Sequence, residues 1–521
     1  MNLIKATGTI GGLTLVSRVA GFAREMLMSR ILGAGFYTDA FYVAFRLPNT
    51  FRRLFGEGAF SAGFVPLYSQ RLQGPNGEAE ARTFSEEVLA VFLPTLILFT
   101  LLFEIIMPLF IAAITGWHGP ERAFATLLTR ITFPYLLLIS LVSLFSGILN
   151  SISRFTAAAF APALLNIAML SALLLVREGG APSATALAVA VTVGGVLQLG
   201  LLMISCKRAG IVLKVRRPKL TPGVRQFIRV VIPATLGAGV YQISVFIDTF
   251  FLTRIGTGAV SYFNYADRLN QLPLGVIGAA IGTAILPQIS RHVDIGEADQ
   301  AARVQGQAAE LAMLLCLPAA LALAVSALPL VSAIFEAGRF NATDAHYTAL
   351  TLSIISLGLP AYVLVKVLTP GFYARRDTAT PVKTAVVVLV VNIILNFVLI
   401  WGLGLGIGGL AAAVALSSWL NCAILYVILH RRGHFRVERW LASRLARQLL
   451  AATVMVVALL AIRSALADWF DGSLGQRLAG VTAIVGGGMI VYFPLVWLLG
   501  GTDKEELRSL LRRRRPYTDA G

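Results

Sequence analysis

Between positions 39 and 66 the chain reads DAFYVAFRLPNTFRRLFGEGAFSAGFVP, an apolar, aromatic stretch that also carries Asp39, Arg46, Arg52, Arg53 and Glu57. At about 100° per residue, Asp39, Arg46, Arg53 and Glu57 share a narrow sector of a helix, with Arg52 beside it. Pro48 inside the stretch predicts a bend. One charge at bilayer depth costs at least roughly 2.5–3.5 kcal/mol, so these groups must face water or an anion rather than lipid. Arg18 and Arg24 lie about 120° apart in an earlier apolar stretch with Gly8, Gly11, Gly12 and Gly21, whose small size lets a neighbouring helix approach. Arg268 lies in a later one. Ion pairs with Glu25 and Asp39 do not account for all of them, because the arginines outnumber the nearby acids. A guanidinium stays charged and forks bidentately onto phosphoryl oxygens. A cavity lined by Arg18, Arg24, Arg52 and Arg268 would therefore attract a diphosphate headgroup and repel cationic solutes.

The elements that position these residues are membrane spans. Of 521 residues, 57% are hydrophobic and 13% charged, and the mean hydropathy is +0.78, values of a polytopic membrane protein. At about 20 residues per span there is room for roughly a dozen helices or more. Runs such as 91–114 and 384–401 are too long and too unalternating for barrel strands. Hydropathy and breakers predict an all-α protein with fourteen spans. They fall near 8–32, 36–70, 86–114, 124–150, 157–177, 184–206, 229–253, 258–290, 306–334, 344–373, 380–401, 407–429, 445–466 and 476–499. Arg18 and Arg24 interrupt the first run and no cleavage site follows it, so it reads as a retained helix rather than a signal peptide. Between spans six and seven runs KRAGIVLKVRRPKLTPGVRQFIR (207–229). Pro218 and Pro222 break it, and the part after Pro222 is expected to form a short surface helix at the headgroups.

The net charge of +18, from 44 Lys and Arg against 26 Asp and Glu, is concentrated in loops. No basic soluble domain is visible, which excludes a nucleic-acid partner. The linker, the loop after span ten (Arg375, Arg376, Lys383), the loop after span twelve (Arg431, Arg432, Arg436, Arg439) and the tail (Lys504, Arg508, Arg512 to Arg515) carry the cations. With an even span count, both termini are cytoplasmic, and Arg512 to Arg515 are an orientation signal touching anionic lipid. Cys206, Cys316 and Cys422 lie unpaired in apolar segments, and the five histidines are scattered, so neither disulfides nor a metal site is expected. GLGLGIGG (402–409) has no strand before it and reads as a tight turn rather than a nucleotide loop. Asp248, Asn392 and Asn396 could ligate a monovalent cation through oxygens, or form polar bonds between helices. No cofactor is implied. No external acidic pair is present, as a membrane glycosyltransferase or polymerase would need.

The halves look related. Residues 33–47 match 256–270 at a shift of 223, and 147–170 echo 371–395 at nearly the same offset. This predicts a duplicated six-helix unit: an N-lobe at 1–206, a cytoplasmic linker at 207–228, a C-lobe at 229–430, two further helices at 431–499 and a basic tail at 500–521. Tandem halves of this kind are a transporter architecture.

SRVAGFARE (17–25), TDAFYVAFRLPNTFRRLFGEGAFSAGFVP (38–66) and YADRLNQLPLGVIGAAIGTAILPQIS (265–290) closely resemble the MurJ (MviN) family of lipid II flippases, within the multidrug/oligosaccharidyl-lipid/polysaccharide exporter superfamily. The resemblance implies a non-enzymatic flippase of the bacterial inner membrane, acting as a monomer beside the peptidoglycan-synthesis machinery. It would move undecaprenyl-diphosphate-linked lipid II by alternating access in a V-shaped cavity, with spans thirteen and fourteen forming a groove for the lipid tail. A flippase for another undecaprenyl-linked glycan would show the same cavity chemistry. The resemblance marks Arg18, Arg24, Asp39, Arg52 and Arg268 as functional, and places Asn49, Arg53, Glu57 and Ser61 in the same motif. Asp39 and Glu57 are expected to exchange ion pairs with the arginines as the carrier resets. Some members are described with a sodium site; Asp248 and Asn392 match it, whereas Asn396 stands where those members have an acid.

Overall fold

Long apolar runs, broken by proline, glycine and charge, become helices throughout the described residues, 3–52 and 60–502, of a computed structural model of the chain. In order they are α1 (Leu3–Leu32), α2 (Phe36–Arg52), α3 (Phe60–Leu72), α4 (Gly77–Ile114), α5 (Gly119–Thr132), α6 (Tyr135–Ser151), α7 (Thr156–Leu175), α8 (Gly180–Arg208), α9 (Pro222–Ile255) and α10 (Ala259–Asp294). They continue as α11 (Ala298–Val325), α12 (Ala327–Phe335), α13 (Ala342–Ser356), α14 (Leu359–Tyr373), α15 (Ala379–Asn396), α16 (Gly406–Arg431), α17 (Arg439–Ala465), α18 (Ala467–Phe470) and α19 (Leu474–Leu499). A π-helical turn, Phe397–Gly402, extends α15.

Helix occupies each of the fourteen expected stretches, and no strand occurs among the described residues. Ten helical segments among those residues are long and apolar enough to cross a membrane. The other stretches contain α1, α2 with α3, α9 and α10, the helices that carry the charges noted above. One expectation is corrected. The segment after Pro222 is not a separate surface helix but the start of α9, which continues through Pro233 to Ile255. Pro222 sits at the first turn, where its missing N–H has no helical partner to lose, and Thr221 caps that turn by accepting from the Val224 N–H at 3.3 Å.

The chain packs as two compact units. One comprises Met1–Tyr262 with Phe335–Asp344, the other Phe263–Ile334 with Ala345–Gly521. Lipid is as apolar as leucine, so close packing rather than exclusion from water holds such helices together. In the first unit, phenylalanines interlock α2, α4 and the corner after α5 through Phe51, Phe99, Phe103 and Phe133, and α3, α4 and α9 through Phe60, Phe64, Phe84 and Phe227. Small residues let α7 and α8 touch: a Cβ on Gly194 would lie 2.8 Å from the Leu165 side chain. In the second unit, Met313 and Val363 pack α11 on α14, and Leu314, Met455 and Tyr492 join α11 to α17 and α19. GLGLGIGG forms the expected turn. Gly404 has φ +68°, a value that favours glycine, and Gly409 lies against the backbone of Leu399.

Candidate functional site

Arg24 is buried in the first unit, 7% exposed, where α1 meets α2 and α7. Its Nη1 donates to Asn166 Oδ1 at 2.9 Å and its Nη2 pairs with the Glu25 carboxylate. Glu25, itself 2% exposed, also accepts from the Tyr42 hydroxyl at 2.5 Å. Asn166 in turn donates to the Ser17 carbonyl at 3.1 Å. A charge left alone at such depth would be strongly destabilising, and this network neutralises it. Arg24 Nε nevertheless has no acceptor among the described residues. The guanidinium is thus fixed on one edge and keeps a buried donor in reserve.

Asp39, 1% exposed, serves a different contact. Its carboxylate accepts from the Gly258 N–H at 2.6 Å, the Ser261 N–H at 2.8 Å and the Ser261 hydroxyl. It therefore closes the N-terminus of α10, where unpaired N–H groups and the helix dipole favour an anion. Arg46 on the same face of α2 donates to Thr249 Oγ1 at 2.6 Å. The charged sector of α2 is thus turned towards the end of α9 and the start of α10. Among the described residues those donors, and no arginine, hold Asp39.

The remaining candidates are spread more widely. Arg18 is exposed on α1. Arg52 is half-buried and its Nε donates to Asn49 Oδ1 at 3.0 Å; Ser61, at the start of α3, is also half-buried. Arg53 and Glu57 lie outside the described residues. Arg268 is half-buried on α10 within the second unit. Asp248 belongs to the first unit, and Asn392 and Asn396 to the second. Asn396 Nδ2 donates to Asn392 Oδ1, and Asn392 Nδ2 donates to Ser417 Oγ, each at 3.1 Å. For a cation, α15 and α16 thus offer a neutral oxygen, the buried Asn396 Oδ1, and no carboxylate of their own.

The end of the first unit beside Asp39 is stitched by both backbone and side-chain contacts. The Arg339 N–H donates to the Arg30 carbonyl at 2.9 Å, and Arg254 Nη2 to the Thr115 carbonyl at 3.1 Å. Asp344 accepts from the Tyr262 hydroxyl at 3.0 Å. Sequence reasoning did not single out Tyr42, Asn166, Gly258 or Ser261. For Asn166 a signal existed, an amide isolated in an apolar span; for Ser261, 222 residues from Asp39, there was none.

Apolar helices carrying buried arginine and carboxylate groups make this a multi-pass membrane protein with a transporter's fold. It is similar to a solved inward-facing multidrug resistance MATE family transporter of the MOP superfamily, with TM-score 0.61 and 14% identity, covering 81% of this chain and 97% of that one. A solved structure titled lipid II flippase MurJ, inward closed conformation, is similar at TM-score 0.78 and 24% identity over 96% of this chain and 99% of that one. A family model described as lipid II flippase MurJ matches residues 28–480. A probable lipid II flippase MurJ of Rhizobium tropici is 41% identical over 99% of this chain and 98% of its own length. The lipid II flippase MurJ of Burkholderia cenocepacia is 37% identical over 96% and 98%. The chain belongs to the lipid II flippase MurJ family, a family of transporters rather than enzymes.

Proposed function

We propose that this protein moves lipid II from the inner to the outer leaflet of the bacterial cytoplasmic membrane by alternating access. Both termini are cytoplasmic, 1–206 and 229–430 are the moving lobes, and α17 with α19 guides the lipid tail. Arg18, Arg24, Arg52 and Arg268 hold the diphosphate.

The observation that carries this reading is Arg24, a buried guanidinium pinned by Glu25 and Asn166 whose Nε–H has no acceptor among the described residues. An arriving phosphoryl oxygen would take up that donor and compete with Glu25 for the rest. Asp39 stabilises the state described here through the N-terminus of α10 and is released in the opposite one. Outward passage of an anionic headgroup is favoured by an inside-negative potential, worth ~2.3 kcal/mol per charge per 100 mV.

Reconstituted vesicles with lipid II in one leaflet test this. Arg24→Ala and Arg268→Ala should each abolish translocation while the protein still inserts and remains monodisperse. Translocation at the unsubstituted rate by Arg24→Ala would refute the diphosphate assignment.

A further inference from the structure

The linker between α8 and α9 was expected to be basic, but its mode of attachment was not legible. Residues 211–221 form neither helix nor strand. They are fastened to α4 by two adjacent carboxylates. Glu86, 2% exposed, accepts from the Lys214 N–H at 3.1 Å, from Arg216 Nε at 2.7 Å and from Arg82 Nε at 3.2 Å. Glu87 accepts from the Thr221 hydroxyl at 2.8 Å. The linker is therefore held at its middle and at its end, with one side committed to α4.

The other side is open and strongly cationic. Lys207, Arg208, Lys214, Arg217, Lys219, Arg225 and Arg229 are exposed, and their side chains form no ion pair with a described residue. No acidic residue occurs in the sequence between Glu178 and Asp248. Apolar side chains stand among these cations: Val215 is 70% exposed, Leu220 58% and Val212 49%. Beside them, Pro222, Arg225, Gln226 and Arg229 line an open depression of about 410 Å³. Cations interleaved with short apolar side chains suit a bilayer interface, where phosphate lies at headgroup level and acyl carbon just beneath it.

We propose that the linker and the first two turns of α9 form a headgroup-level binding surface for anionic phospholipid. Lys214, Arg217, Lys219, Arg225 and Arg229 meet the phosphates while Val215 and Leu220 dip below them. Glu86 and Glu87 take up only the face turned to α4, so they orient the surface rather than neutralise it. The choice of the cytoplasmic leaflet rests on the orientation proposed above.

A single cysteine, Val215→Cys, reports the contact, because the three native cysteines are buried. The full chain is reconstituted into phosphatidylcholine vesicles with or without phosphatidylglycerol, and reaction with a membrane-impermeant maleimide is timed. Labelling should be several-fold slower with phosphatidylglycerol. High salt, or the added substitutions Lys214→Gln, Arg217→Gln, Lys219→Gln and Arg225→Gln, should restore the fast rate; Arg216 is kept because it pairs with Glu86. Equal rates in the two lipids would overturn the proposal. So would protection in phosphatidylcholine alone, or protection by inorganic phosphate without anionic lipid, which would indicate a soluble-anion site. Because labelling does not measure lipid II movement, its failure would leave the flippase assignment standing, and the reverse also holds.

Discussion

Asp39 shows what one carboxylate does when three donors converge on it. Its two oxygens satisfy Gly258 and both donors of Ser261. An asparagine there would turn an amide NH₂ towards groups that are themselves donors. Asp39→Asn should therefore destabilise the contact by about 1–3 kcal/mol, the range for orphaning a buried donor. The check is amide hydrogen exchange, which should quicken at Ser261 and in the first turn of α10 but not in α19. Ser261→Ala keeps the backbone bonds and should have a smaller effect; unchanged exchange in Asp39→Asn would count against the assignment. The arginines were legible in the sequence because a charge in an apolar run is anomalous whatever surrounds it. Their partners were legible only in part: Glu25, named from the sequence, does pair with Arg24, whereas Asn166, its other partner, was not singled out. Arg53 and Glu57, which ideal helical spacing groups with Asp39, lie outside the described residues; Asp39 itself is held by the start of α10, a contact set by the approach of helices far apart in sequence.

Among the elements, the loop before α15 shows how charge fixes a helix end outside the membrane. Asp377 accepts from the Thr380 N–H at 2.9 Å and its hydroxyl at 2.6 Å, and pairs with Arg432, just beyond α16, at 2.6 Å. The Arg432 bond, followed by those from Thr380, holds the Asp377 carboxyl below the usual carboxylate range. A depressed folded pKa means that this stabilisation is complete above the unfolded value of about 3.9 and fades as pH falls through the folded one. Asp377→Asn should then lower stability at neutral pH by about 0.5–1 kcal/mol, since Arg432 is substantially exposed, and should matter less in strong acid. Thermal unfolding in detergent at pH 7 and pH 3 would show the gap narrowing; a constant gap would contradict it. Helix positions were well legible, because a run too apolar for water must be helical in lipid. Proline was the weak guide: Pro222 marked the break in the linker, but the helix it starts does not stop short and runs on through the expected seventh span to Ile255.

For the whole molecule, hydropathy indicated a polytopic membrane protein and the internal repeat a transporter, while the exporter likeness came from the motif resemblance. They did not reveal that Phe335–Asp344 packs with Met1–Tyr262, because loop contacts leave no periodic trace. If the potential drives the proposed cycle, collapsing it at constant pH and constant sodium should shift the access state. Cysteine accessibility along α1 and α2, read in sealed vesicles before and after an ionophore, would report the shift. An unaltered labelling pattern, together with sodium-dependent labelling, would transfer the driving force to a cation.

The glycines beside Arg339 carry a separate consequence. A Cβ on Gly33 would lie 2.7 Å from the Arg339 carbonyl, and one on Gly338 would lie 2.3 Å from that of Arg30. Both residues have positive φ, so this end of the first unit closes backbone on backbone. At the other end of the same unit, Glu86 grips the linker through the Lys214 N–H and through Arg216, whose guanidinium water can reach. Ions in solution screen the second kind of contact and leave the first almost untouched. Salt is therefore a one-sided reagent for this protein, loosening the unit at the linker while the glycine junction stays shut.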